Sequence, residues 1–116
     1  MPSDLDKAVK ASKAFERHLR DQHNATGRGL HELIDSAQPS LPREAIKHLR
    51  FVATIRNRLV HEDGYDRFDD PAEWKRRIAA AERALNIRRT PKLRIAFAIL
   101  GLIAILAITA SVVMGR

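Results

Sequence analysis

Apolar residues in the first three quarters of the chain recur at helical intervals. Leu5, Ala8, Val9, Phe15 and Leu19 share one face at about 100° per residue. Ser3 and Asp6 form a capping-box pattern in which Asp replaces the usual Glu or Gln. A first helix is therefore predicted over about 4–22. Asn24, Gly27 and Gly29 interrupt it, and a short helix over Leu30–Ala37 follows, stopped by Pro39. Ser40 and Pro42 open a third helix that carries Ile46, Leu49, Val52, Ile55 and Leu59 to about His61. The acidic stretch EDGYDRFDD over 62–70 reads as a loop. Asp70-Pro71-Ala72-Glu73 then combines an N-cap, a proline at the first helical position and a capping Glu. The fourth helix is predicted from Pro71 to about Arg88, with Trp74, Ile78, Ala81 and Leu85 on one face. No strand-like alternation and no repeat competes, so this part reads as all-α, a small antiparallel bundle of about four helices.

The pattern changes at Ile95. The string IAFAILGLIAILAITASVVM, Ile95 to Met114, holds no charge over twenty residues, enough for about 30 Å of helix. It reads as a single C-terminal transmembrane helix, and with only Gly115 and Arg116 after it the chain reads as tail-anchored. Three parts follow: a helical domain over 1–89, a basic juxtamembrane linker over 90–94 begun by the helix-breaking Thr90-Pro91, and the span over 95–114. A stripe of Gly101, Ala104, Ala107 and Ser111 is small enough for two such helices to approach closely, though an Ala-rich segment produces such a stripe by chance as readily.

Composition acquires meaning only once divided this way. The 116 residues carry 21 Lys+Arg and 14 Asp+Glu, a net +7. Residues 1–74 hold 12 basic and 13 acidic side chains, whereas residues 75–94 hold eight basic ones against Glu82 alone. The excess is a collar beside the membrane segment, which by the positive-inside rule places the N-terminal domain in the cytoplasm. It is not a nucleic-acid footprint spread over the domain. Outside the span 35 of 96 residues are hydrophobic, a thin core that an oligomeric interface would reinforce. The absence of cysteine excludes disulfides, thiolate metal sites and thiol nucleophiles.

Helix three concentrates the chemistry. Arg56 falls in the middle of its apolar arc, where a guanidinium costs several kcal/mol unless paired or used. Asn57 beside it is a poor helix-interior residue, and His61, Glu62 and Tyr65 gather where the helix ends. The string Arg56-Asn57-Arg58-Leu59-Val60-His61 resembles the HEPN superfamily, whose signature is Arg-x4–6-His with Asn or another polar residue often following the Arg. The stretch from Leu30 to Leu85, about half the chain, is similar to that family too: LHELI, then LPREAIKHLRFVATIRNRLVHE, an acidic loop and a closing helix. The resemblance implies a helical domain that homodimerises and brings two motifs to one cleft, which in active members is a metal-independent endoribonuclease. It implies that His61 is the general acid/base on the ribose 2′-hydroxyl or the leaving 5′-oxygen, that Arg56 holds the scissile phosphate, and that Asn57 orients the site. Products would carry a 2′,3′-cyclic phosphate. Glu62 and Tyr65 are candidate auxiliary residues. A toxin branch of the family places a Tyr two residues after the His, where this chain has Asp63.

Two features pull the other way. His61 lies about 140° from Arg56 on an ideal helix, so the pair converges only if the helix ends there or a second copy completes the site. Six carboxylates between Glu62 and Glu73 would repel RNA. The bland alternatives are an ion pair from Arg56 to Asp35 or Glu32, and a His61 that merely caps the helix dipole. His18 and His23 stand five apart, off the three- or four-residue spacing of paired helical ligands, so no metal and no cofactor is expected. Asn24-Ala25-Thr26 is an accidental sequon if it faces the cytoplasm. The expectation is a membrane-anchored, dimeric HEPN-like ribonuclease of a toxin, defence or stress-response type. The alternative is a non-catalytic HEPN-like module that recruits or regulates a partner protein at the membrane.

Overall fold

Local signals set the helix ends. In the computed structural model, which describes residues 2–87, α1 spans Asp4–His23, α2 Leu30–Ala37, α3 Arg43–His61 and α4 Pro71–Ala84, with a 3-10 turn at Gln38–Ser40 between α2 and α3. There is no strand among the described residues. The predicted linker, the predicted membrane span and four of the eight collar cations (Arg88, Arg89, Lys92, Arg94) lie outside them. Among the described residues no helix is long and apolar enough to cross a membrane.

The Ser3 capping box forms reciprocally: the Asp6 amide donates to Ser3 Oγ at 3.1 Å and the Ser3 amide to Asp6 Oδ2 at 3.4 Å. At α4, Asp70 Oδ1 accepts from the amides of Ala72 and Glu73 at 3.0 and 3.1 Å. Two asparagines end helices in the left-handed conformation that Asn tolerates better than most residues, Asn24 at φ 53° and Asn86 at φ 59°. The second corrects an expectation. α4 was predicted to reach about Arg88, but it stops at Ala84, because Asn86 turns the chain and the amides of Asn86 and Ile87 bond back to Arg83 and Glu82 at 3.2 and 2.8 Å. That is a Schellman closure, and its only sequence signal is one Asn after Leu85.

The fold is organised on α3, which packs against α1, α2 and α4, while α1 and α4 make little direct contact. Ala45, Leu49, Val52, Ala53, Ile55 and Leu59 form its buried face. Leu19, Leu33, Ile34, Leu49 and Val52 are the largest fully buried side chains, each contributing about 1.5–3 kcal/mol by removal from water. Trp74, Ile78, Ala81 and Leu85 are buried from α4 as their spacing predicts. Leu5, expected on the apolar face of α1, is exposed, and so is Val60, which falls on the apolar arc of α3 by helical period. On α1 the place is taken by Ser12, so that Ala8, Ser12, Phe15 and Leu19 form the inner face.

The acidic loop is fastened rather than loose. Phe68 stacks on Trp74 with ring centroids 4.4 Å apart and planes 15° from parallel, a pairing worth about 0.5–1.5 kcal/mol beyond area burial. Its amide donates to Asp4 Oδ2 at 2.8 Å, bridging positions 64 residues apart. At the other turn, Gly27 adopts φ +147°, and a Cβ there would stand 2.5 Å from Glu32 Cβ. Only glycine lets the α1–α2 connection lie this close against α2.

Candidate functional site

Arg56 and His61 sit on the last two turns of α3. The helix ends at His61, with Glu62 in extended conformation as the C-cap. His61 is itself the last helical residue, so the helix end does not turn it onto the Arg56 face. The side chains open into two adjoining depressions. Arg56 lines a cleft of about 180 Å3 bounded by α1, the start of α2 and α3. His61 lines a shallower groove of about 340 Å3 with Thr54, Arg58 and Glu62. Asn57 and His31 line both and form the wall between them.

Arg56 is half-buried, as its place in the apolar arc requires. Its Nη1 donates to Asn57 Oδ1 at 3.0 Å, which joins two of the expected site residues and fixes the plane of the guanidinium. No carboxylate among the described residues lies within ion-pairing distance of it. The anticipated alternative, a pair with Asp35 or Glu32, is therefore not formed. Asp35 is taken instead by Arg50, whose Nη2 donates to Asp35 Oδ1, and whose Nη1 reaches both His31 Nδ1 and the His31 carbonyl at 3.1 Å.

That triad is the part of the site sequence reasoning missed. A guanidinium can only donate, so His31 Nδ1 is the acceptor and the ring proton resides on Nε2, an assignment made from the network. Partial burial, followed by the nearby Arg50 charge, lowers the His31 pKa below the usual imidazole value, against an opposing pull from Asp35. His31 is thus held neutral at pH 7 with a fixed tautomer. The available signal was the i,i+4 spacing of His31 and Asp35 on a two-turn helix, with Arg50 facing them from α3.

Glu62 and Tyr65, the expected auxiliaries, gather around Arg58 rather than Arg56. Arg58 Nε and Nη2 donate to Glu62 Oε2 and Oε1 at 3.0 and 3.3 Å, and its Nη1 approaches Asp69 Oδ2 at 3.5 Å. The guanidinium carbon stands 3.9 Å over the Tyr65 ring, and Tyr65 Oη donates to Asp69 Oδ2 at 3.1 Å. The Arg58 hydrogen bonds hold Glu62 below the ordinary carboxylate value. Desolvation, helped by Asp69, raises the Tyr65 phenol. Most of the acidic loop is occupied in this way. Glu62 and Asp69 face Arg58, Asp70 caps α4, and Glu73 pairs with Arg77 at 3.4 Å. Of the six carboxylates expected to repel RNA, only Asp63 and Asp66 have no bonded partner among the described residues.

The remaining histidines serve packing. His48 accepts from Arg77 at 3.2 Å through Nδ1, and His23 Nδ1 lies 3.0 Å from Ser40 Oγ with its ring 5.7 Å from His18. Among the described residues no group of three or more His, Asp or Glu is placed to hold a metal ion. Compared with models of protein families, with curated proteins and with solved structures, the chain matches none.

Proposed function

We propose that the chain is a membrane-anchored, HEPN-like endoribonuclease of the toxin, defence or stress-response kind, acting as a homodimer and without a metal. The observation that carries the reading is Arg56. It is a half-buried arginine with no carboxylate partner among the described residues, held in plane by Asn57 beside a cleft, five residues before a histidine at an exposed helix end. A purely structural arginine at that place would be paired, as Arg50 and Arg58 are.

In this reading Arg56 accepts the scissile phosphate through its remaining N–H donors and stabilises the extra negative charge of the five-coordinate phosphorus. His61 removes the proton from the ribose 2′-hydroxyl, or delivers one to the leaving 5′-oxygen. The 2′-oxygen attacks phosphorus, the P–O5′ bond breaks, and a 2′,3′-cyclic phosphate and a 5′-hydroxyl result. Because Arg56 and His61 open into adjoining depressions, one copy supplies the base to a phosphate gripped by the other, with the two motifs facing across the dimer.

A second reading rests on its own observation. α1 and α4 splay to leave an open groove of about 910 Å3 over Phe15, Trp74 and Ile78, rimmed by Lys10, Arg17 and Lys75. Such a groove suits a non-catalytic module that recruits a partner protein to the membrane. Expression of the full chain beside H61A and R56A, with growth and RNA integrity followed, separates the two. RNA cleavage leaving cyclic-phosphate ends, lost in both variants, is the expected result. Intact RNA under every condition tried would leave the recruiting module as the reading. Equal toxicity of all three chains would point to membrane damage by the anchor.

A further inference from the structure

The groove between α1 and α4, about 910 Å3 in volume, shares no lining residue with the depressions of Arg56 and His61. Phe15, Trp74 and Ile78 are its buried apolar residues, and the small side chains of Ala11, Ala14 and Ala79 leave it open. The Phe68 amide, bonded to Asp4 Oδ2 at 2.8 Å just ahead of the Asp70 cap, fixes the start of α1 beside the start of α4. The two helices therefore run in the same direction, and charge along the groove is graded. Lys7, Lys10 and Lys75 line the end where both helices begin, and Arg17 stands farther along. Asp21 and Glu82 line the end where both finish. Lys10, Arg17 and Lys75 are exposed and have no ion pair or hydrogen bond among the described residues. Lys7 reaches only Asp4, at 4.0 Å.

Backbone, length and charge together constrain what can lie there. Both walls are helices, whose interior backbone groups bond within the helix, so the groove offers no row of amides and carbonyls to an extended peptide. A helical partner brings its own backbone bonds and buries only side chains. From Lys7 to Gln22 α1 rises about 22 Å, which a helix of about fifteen residues matches. The grading of charge sets direction. Acidic side chains belong at the lysine end and basic ones at the Asp21 end, and a helix favours acids in its first turn and bases in its last. An anionic lipid surface fits less well, because the carboxylates stand at the end toward Ile87, from which the chain continues to its predicted span. The uncharged string from Ile95 to Met114 has nothing to offer the lysines. We infer that the groove receives an amphipathic helix of a partner protein, parallel to α1 and α4, with Asp or Glu in its first turns against Lys7, Lys10 and Lys75 and Lys or Arg in its last turn against Asp21. The inference names the partner that the recruiting reading above leaves open, and goes beyond that reading in holding whether or not the chain also cuts RNA.

A library of such helices displayed on phage, panned against the full chain in zwitterionic nanodiscs with empty nanodiscs subtracted, tests this. One face is drawn from Leu, Ile, Phe and Met at helical spacing, and the outer positions of the first and last turns equally from Glu and Lys. The expected winners carry Glu in the first turns and Lys in the last. Synthesised with a fluorescent label, the commonest winner should lose about ten-fold or more in affinity when Pro is placed at its centre. K10E with K75E, both at exposed positions, should weaken it about ten-fold at low salt and favour the peptide with Glu and Lys exchanged. Ala14→Trp, which fills the groove from an exposed position on α1, should abolish enrichment and leave Tm unchanged, so misfolding cannot account for the loss. The inference is overturned if no ordered helix is enriched, if the Lys-first order wins, if the proline peptide binds equally, or if Ala14→Trp binds like its parent. Without an enriched helix, self-association lost in Ala14→Trp gives the groove to a second copy, and binding of phosphatidylserine vesicles lost in K10E with K75E gives it to lipid; either overturns the helical partner. RNA cleavage is read separately on the same preparations. Cleavage sinks the non-catalytic reading without touching this one, and a chain that enriches the helix but cuts no RNA sinks the nuclease reading.

Discussion

Toward α4 and the 62–70 loop, the arginines at the helix interfaces are held. Arg58 has Glu62, Asp69 and the Tyr65 ring, and Arg77 has Glu73, His48 and the face of Phe51, 4.7 Å from its guanidinium carbon. Toward the start of α2, Arg56 has only the side-chain amide oxygen of its neighbour Asn57 and no carboxylate among the described residues. The first region is built as a folded interior is, each buried polar group matched and an aromatic stack beneath. The second leaves matched chemistry unused. Stability is carried by the α4 flank of α3 and by the paired Arg50, and on the proposed function the capacity to bind is kept at Arg56.

Substitutions in the two flanks should separate along that line. The largest effect is expected at Trp74, which is 6% exposed and stacked on Phe68. Trp74→Ala should cost about 3–5 kcal/mol, read as a lowered urea midpoint. Arg50→Met removes three hydrogen bonds, including one to Asp35, and leaves a part-buried His31 unsupported. A loss of about 1–3 kcal/mol is expected in the same measurement. Asp70→Ala uncaps α4 and should cost about 1 kcal/mol. Arg56→Met is the opposite case. Apolar methylenes in place of an unpaired guanidinium should leave stability within about 0.5 kcal/mol, while RNA cleavage falls on the order of 10²–10³-fold. If Arg56→Met unfolds the protein as Trp74→Ala does, the contrast between the flanks is wrong.

Acidification offers a gentler probe. Desolvation leads the lowering of the pKa of His18, His31 and His48 below 6.5, joined by His23 at the first, Arg50 at the second and Arg77 at the third. The unfolded chain therefore takes up protons first as pH falls through 6.5. Their contribution to stability is present above that pH and declines below it. Tm should fall between pH 6.5 and 5, and His31→Gln with His48→Gln should flatten that slope. A second decline, at lower pH, belongs to Glu44 and Glu62, whose carboxylates are held below their ordinary values by Lys47 and Arg58.

Much of this was legible in the sequence because it is local. Ser3, Asp70 and Pro71 announce helix starts within four residues, and Trp74, Ile78, Ala81 and Leu85 repeat at a helical period. Arg56 could be singled out because a guanidinium breaks an apolar arc. What remained hidden depends on partners distant in sequence. That Asp35 would choose Arg50 over Arg56 is decided by the rotation of α2 on α3, which no period records. Nothing in the local sequence marks Ser12, which is buried on the inner face of α1. Val60 fits the helical period of the apolar arc yet meets solvent.

The bond from the Phe68 amide to Asp4 also bears on the order of events during synthesis. α1 is made before α2, α3 and α4, yet the group that fastens its first turn lies 64 residues later. At about 5–20 residues per second, α1 spends roughly 3–13 s without that anchor. Its inner face, Ala8, Phe15 and Leu19, meanwhile depends on α2 and α3 for cover. Long-range closure of this kind slows folding relative to a bundle of purely sequential contacts. A nascent chain halted before residue 68 should therefore show α1 readily digested by protease, and one halted after α4 should show it protected.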